Sequence, residues 1–182
     1  GARDLPMLLN NTPGVYATET GGGLGAARVN IRGFESNFMA VLIDGVPVND
    51  METGQVFWSN WYGLQQITEN VQVQRGLGAT KLAISSIGGT INILTKGIKS
   101  DPELSAKQEV GSFGFSRTSL GYNSGYLPGG WGITVAGSFT RGNGWVEGTD
   151  FRGGSYYAKL QKTFGENHLL SLMVTGAPQN SG

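Results

Sequence analysis

From about residue 103 to residue 176, apolar and polar side chains alternate with a period of two. The clearest segment lies near 131–141, where Trp131, Ile133, Val135 and Phe139 share one face. Gly132, Thr134, Ala136, Ser138 and Thr140 share the other. The same alternation predicts strands near 103–111, 115–123, 154–164 and 168–176; in the last, Leu170, Leu172 and Val174 oppose Leu169, Ser171, Met173 and Thr175. Each approaches the ~9–11 residues with which a tilted strand crosses a bilayer. Tyr122, Trp131, Phe139, Tyr156, Tyr157 and Phe164 fall near strand ends, where an aromatic girdle would sit. Apolar outside and small or polar inside suits a membrane barrel, but a soluble β-sandwich alternates too, and patterning leaves both open.

The connections differ in length. Gly111–Gly114 is tight, Asn123–Gly130 is a Gly/Pro turn, Arg141–Gly153 is long and Phe164–Asn167 is short. If the first strand runs outward, the long loop is external, which fits the short inner turns and long outer loops of outer-membrane barrels.

Residues 1–97 are patterned differently and read as a compact α+β unit, separate from 98–182. Leu5, Leu8 and Leu9 give Ala2–Leu9 a short helical face, closed by Asn10–Gly14. Val29–Ile31 is a short strand leading into Arg32-Gly33. Ala40–Val48 predicts a hairpin with Asp44-Gly45 in its turn, and Pro47 puts the second arm on a sheet edge. Gly63–Asn70 predicts a turn or short helix before a strand at Val71–Gly76, and Gly88–Lys96 predicts a final strand.

Composition narrows the function classes. The longest apolar run, Phe38 to Ile43, is far short of the ~18 residues of a membrane helix, so a membrane role would fall to strands. Lys+Arg and Asp+Glu are both 13, so no net field favours nucleic acid. There are 31 glycines, pointing to tight turns and close backbone contacts, and no cysteine to form disulfides or thiolate metal sites. With His168 the only histidine, a Ser/His/Asp set or a His-rich metal centre has too few members, so an enzyme is not expected. The opening residues lack a signal-peptide pattern, and Gln179–Gly182 is polar and turn-like, as though the chain were cut there.

The glycine run Gly21-x-Gly23-x-x-Ala26 fits a loose dinucleotide fingerprint, but strand-like Arg28–Ile31 follows where a helix would have to open. Lys81 lacks P-loop spacing. No cofactor is therefore expected. Two features carry more weight. Arg32-Gly33 and Arg75-Gly76 each place a guanidinium where a strand ends; facing a barrel interior they need carboxylates, and facing water they need nothing. Gln55–Tyr62 carries four aromatics, Phe57, Trp58, Trp61 and Tyr62, which suit either a loop anchored in a core or a ligand-facing surface.

Four motifs in order, Asn30–Phe34, Leu42–Val48, Glu69–Gly76 and Gly88–Lys96, resemble the plug domain of TonB-dependent outer-membrane receptors. The resemblance covers about residues 3–97, and the remainder is similar to the first strands of the barrel that follows the plug. It implies a plug lodged in a barrel of the 22-stranded class, in a cell outer membrane and in contact with its lipid. It also implies a scarce ligand bound at the surface (a metal chelate, glycan, peptide or vitamin) and import driven by the inner-membrane protein TonB. Arg32 and Arg75 would face barrel glutamates beyond residue 182. Ligand-facing plug loops would be Gly21–Gly25, Phe34–Phe38 (Phe34, Glu35, Ser36, Asn37) and about Asn49–Tyr62, including Asn49, Asp50, Phe57, Trp58, Trp61 and Tyr62. Where the family commonly continues Pro-x-Ser-x-x-Tyr-Gly after Arg75-Gly76, this chain reads Leu77–Ser86 without that pattern. The resemblance marks the chain as part of a longer protein. A surface binding module without transport, or a scaffold component of an outer-membrane assembly, are the alternatives.

Overall fold

The computed structural model describes residues 5–20, 27–35, 38–61, 63–75, 87–143, 150–165 and 168–181, with the Arg75 and Ser181 side chains outside the description. The chain divides into two compact units, one spanning Arg3–Thr95 and the other built from Lys96–Gly182 with the first two residues.

In the first unit, α1 (Leu5–Leu8) continues into a 3-10 turn at Leu9–Asn11. Leu5 and Leu9 are buried with Val15, Ala17, Val29 and Ile31, but Leu8 faces solvent, so the expected three-leucine face is a pair. The turn tightens after Leu8, which rotates the next leucine inward. β1 (Val15–Glu19) pairs antiparallel with β2 (Ala27–Ile31). The half-polar sequence of β1 concealed a strand whose Val15 and Ala17 alone point inward.

β3 (Met39–Ile43), β4 (Val46–Pro47), β5 (Thr68–Arg75) and β6 (Gly89–Thr95) form a four-stranded sheet in the order β4-β3-β6-β5. All five residues of β3 are buried, as expected for a strand covered on both faces, and β3 runs parallel to β6. Asp44 and Gly45 take φ of 49° and 82°, the left-handed pair a two-residue hairpin turn needs. Pro47 lies on the edge strand, as its missing N–H requires. The Asp44 carboxylate ties this turn to the end of β6: Thr95 N donates to Oδ1 at 2.8 Å and Thr95 Oγ1 to Oδ2 at 2.5 Å. The predicted turn of 63–70 is a 3-10 turn at Leu64–Gln66, and β5 starts three residues earlier than the sequence suggests, with an irregular step between Thr68 and Asn70.

The second unit is an antiparallel meander of β7 (Glu103–Val110), β8 (Ser116–Asn123), β9 (Trp131–Asn143), β10 (Asp150–Phe164) and β11 (His168–Gly176). β12 (Gln179–Ser181) also pairs with β10. This corrects the turn-like reading of the last residues. Tyr156↔Gly176 and Gly153↔Gln179 keep one register, so β11 and β12 form a single line interrupted at Pro178, which lacks an N–H but still accepts from Gly154 N at 2.8 Å. The expected long loop at 141–153 is mostly paired strand, leaving 144–149 outside the described residues. The Phe151 ring covers Gly142, where an added Cβ would come within 2.7 Å of it, and that close fit lets the ladder run on.

Burial on this sheet is inverted relative to a soluble sandwich. Thr140 is 0% and Arg117 2% exposed, and Ser119, Thr134, Lys159 and Gln161 are buried with them. On the opposite face Leu120, Ile133, Val135, Phe139, Leu160, Leu170, Leu172 and Val174 stand exposed, Leu172 at 64%. A contiguous exposed apolar face of that kind marks a surface built to meet lipid or another apolar partner, and with a polar opposite face buried it suits a membrane barrel better than a soluble sandwich. Among the described residues no helix is long and apolar enough to cross a membrane.

Candidate functional site

Two segments of the first unit build the site. The first is the turn after β2. Ile31 and Phe34 exchange backbone hydrogen bonds at 3.1 and 2.9 Å, leaving Arg32 and Gly33 as the turn pair with φ of 50° and 84°. Left-handed backbone is uncommon for a residue with a side chain and costs about 1 kcal/mol or more. Arg32 N–H donates to Gly14 O at 2.8 Å, while its side chain is exposed. Neither Lys99–Glu103 nor Lys107–Glu109, two ion pairs of the described residues, involves it. Phe34 and Phe38 follow, ring edge to ring face with centroids 6.5 Å apart and both partly exposed.

The second segment is the loop after β4. Asn49 holds it against β3: its Nδ2 donates to Met39 O and Gly54 O, each at 2.8 Å, and its Oδ1 accepts from Val41 N at 2.8 Å. Asp50 Oδ1 accepts from Thr53 N at 2.7 Å, Thr53 Oγ1 at 2.9 Å and Glu52 N at 3.1 Å. The bonds from Thr53, backbone first, and then Glu52 hold this carboxyl below its usual range. In this loop Asn49 and the Oδ1 of Asp50 therefore spend their hydrogen bonds on shaping the backbone.

From there the chain enters a 3-10 turn at Trp58–Trp61. Phe57 is 49% exposed whereas Trp58 is 4% exposed, so neighbouring aromatics point opposite ways; Trp61 is half-buried. The Trp58 indole N–H has no hydrogen-bond partner among the described residues. Tyr62, Ser36, Asn37, the glycine loop 21–25 and the segment after Arg75 lie outside those residues, as does the Arg75 side chain.

The two segments meet at a cavity of about 200 Å³. Glu35 from the first and Gln55, Phe57 and Trp58 from the second line it, with Arg28 and Asn30 of β2 opposite. A cation, a carboxylate, two amides and two aromatics are thus gathered around a space smaller than a drug-sized pocket, fit to grip one part of a larger molecule. Sequence reasoning found Glu35, Phe57 and Trp58 but missed Arg28 and Asn30. Their signal was available only as strand parity beside a loop whose position the sequence does not fix. No group of three metal-ligating side chains stands together among the described residues.

The TonB-dependent receptor plug domain family matches residues 1–90. The vitamin B12 transporter BtuB of Vibrio vulnificus (strain CMCP6) is 36% identical over 94 residues, covering 52% of this chain and 15% of that protein. The ferrienterobactin receptor of Escherichia coli (strain K12) is 32% identical over 107 residues, covering 52% and 14%. Among solved structures, the pyoverdine receptor FpvA of Pseudomonas aeruginosa PAO1 bound to pyoverdine matches 97% of this chain and 25% of its own, at TM-score 0.78 and 17% identity. The unliganded ferric citrate transporter FecA matches 100% and 29%, at TM-score 0.72 and 25% identity. The chain spans about 15% of the length of the curated relatives it matches.

Proposed function

Because this chain belongs to the TonB-dependent outer-membrane receptors, we propose that it supplies the plug (1–97) and opening barrel strands (98–182) of a receptor-transporter. The whole protein binds a scarce ligand at the cell surface and imports it when TonB, pulling from the periplasm, rearranges the plug. Relatives named for vitamin B12 and ferrienterobactin favour a corrinoid or a ferric chelate over a glycan or peptide as cargo. The observation that supports binding is the cavity, where Glu35, Phe57 and Trp58 from two loops meet Arg28. Phe57 offers aromatic area to the ligand, and Arg28, Asn30 and Gln55 offer donors to its oxygens. Trp58 completes the wall from within. Arg32 and Arg75 meet carboxylates of the barrel wall and hold the plug until it is pulled.

The test uses the full-length receptor in cells, with cyanocobalamin and a catecholate ferric chelate as cargo. Phe57→Ala and Glu35→Gln are expected to reduce uptake of one cargo about tenfold while leaving the amount of assembled receptor unchanged, since both side chains are exposed. Normal uptake of both cargoes by both variants, or no uptake of either by the parent, would overturn the reading.

A further inference from the structure

On the exposed face of the second unit, Arg141 of β9 stands directly opposite Arg152 of β10. Like charges in register across a strand pair destabilise it. Ser116 lies beside Arg141 and Asn180 beside Arg152, so one row reads Ser116, Arg141, Arg152, Asn180, with both arginines and Asn180 exposed. The row holds up to ten guanidinium N–H donors and an amide, and no carboxylate. Among the described strand residues of this face the one carboxylate is Asp150, a row further out opposite Asn143. The ion pairs Lys99–Glu103 and Lys107–Glu109 lie elsewhere.

The row also has a defined depth. Inward from it the face carries Phe139, Tyr156, Val135, Ile133 and Leu160, and it ends at Trp131 and Lys162. There the Lys162 ammonium lies 4.3 Å from the centre of the Trp131 ring and 5.2 Å from that of Phe164. Ten residues separate Trp131 from Arg141 along β9. At ~3.3 Å per residue and a tilt of ~40°, that is roughly 25 Å along the membrane normal, the height of a barrel's apolar band. Cations therefore bracket the band, one held by aromatics at one edge and two with no ion pair among the described residues at the other. Gly154, inward of Arg152 and opposite Phe139, leaves the backbone bare beneath the arginines.

We propose that Arg141 and Arg152 form a binding site for the phosphate of a membrane-lipid headgroup, whose acyl chains lie on the Phe139–Tyr156 face. Two guanidinium forks match phosphate oxygens in bidentate geometry, and an anion between them turns a repulsive pair into an attractive one. Continuity with the apolar band selects a lipid over a soluble anion. The site is separate from the cargo cavity and does not depend on what is imported.

The test is native mass spectrometry of the full-length receptor in neutral detergent, titrated with dimyristoyl phosphatidic acid, with the diacylglycerol of the same chains and with inorganic phosphate. The parent should retain phosphatidic acid, and R141Q/R152Q should lower its apparent affinity roughly tenfold or more. Diacylglycerol should bind weakly and equally to both, and millimolar inorganic phosphate should not displace the lipid. If the glutamine variant fails to assemble, R141K/R152K keeps the charge and loses the fork, and its affinity should fall about threefold. Equal retention of phosphatidic acid by parent and variant would overturn the proposal. So would diacylglycerol bound as tightly as phosphatidic acid, or displacement by inorganic phosphate, which would mark a free-anion site.

Discussion

Arg32 adopts a backbone conformation that glycine would adopt without cost, with a second left-handed residue beside it. Replacing it with glycine should relieve up to ~1 kcal/mol of local strain, so a receptor in which Arg32 made no ion pair would be as stable or more stable. If the proposed plug–barrel ion pair operates, Arg32→Gly should nevertheless lower uptake, and comparing thermal unfolding with transport on one sample separates the two roles. Asp50 makes the opposite case. Its folded-state pKa is depressed, so its contribution to the 50–53 turn is present above the ordinary carboxylate range and is lost as pH falls through the lower folded value. Hydrogen-exchange protection of the Thr53 amide should hold at neutral pH and decline only below the ordinary carboxylate range, and Asp50→Ala should abolish it at every pH. Trp58 was readable as an aromatic anchor or as a ligand contact, and its burial could not be settled from a sequence in which Phe57 and Trp58 are equally apolar. Asn49 shows the same limit: a polar loop residue looks available until its three backbone partners are known.

At the scale of elements, period-two alternation located β7, β8, β9 and β11 to within two residues and the later part of β10, because one face of each is richer in apolar side chains than the other. β1 and β12 were hidden for a shared reason. A short strand with few inward side chains carries almost no periodic signal, and Pro178 masks the continuity of β12 with β11. Turn chemistry was legible where glycine marked it, as at Asp44-Gly45. It was legible too in the Gly/Pro turn of 123–130, but not in the close approach at Gly130, whose φ is 77° and where an added Cβ would stand 2.7 Å from Thr163 O. Gly130→Ala should therefore destabilise the turn between β8 and β9 by about 1–3 kcal/mol, seen as a lower unfolding temperature of the detergent-solubilised receptor. Trp58→Phe should cost little, since the lost indole N–H has no partner among the described residues, whereas Trp58→Ala should cost about 3–5 kcal/mol by opening a cavity.

For the molecule as a whole, the informative fact is which face of the second sheet is buried. The sequence showed two faces but not which one met solvent, and a barrel and a sandwich differ only there. The structure buries Thr134, Thr140 and Lys159 and exposes Ile133, Val135 and Phe139. The account predicts that the exposed set meets lipid. Residues 1–182 contain no cysteine, so single cysteines at successive positions 133–139, in a full-length receptor whose other cysteines have been replaced, give clean reporters in outer-membrane vesicles. Spin labels at 133, 135, 137 and 139 should collide with lipid-dissolved oxygen, and those at 134, 136 and 138 should be shielded from it. Uniform accessibility along the strand, or oxygen contact at the even positions, would contradict a sheet that turns its apolar face to the membrane.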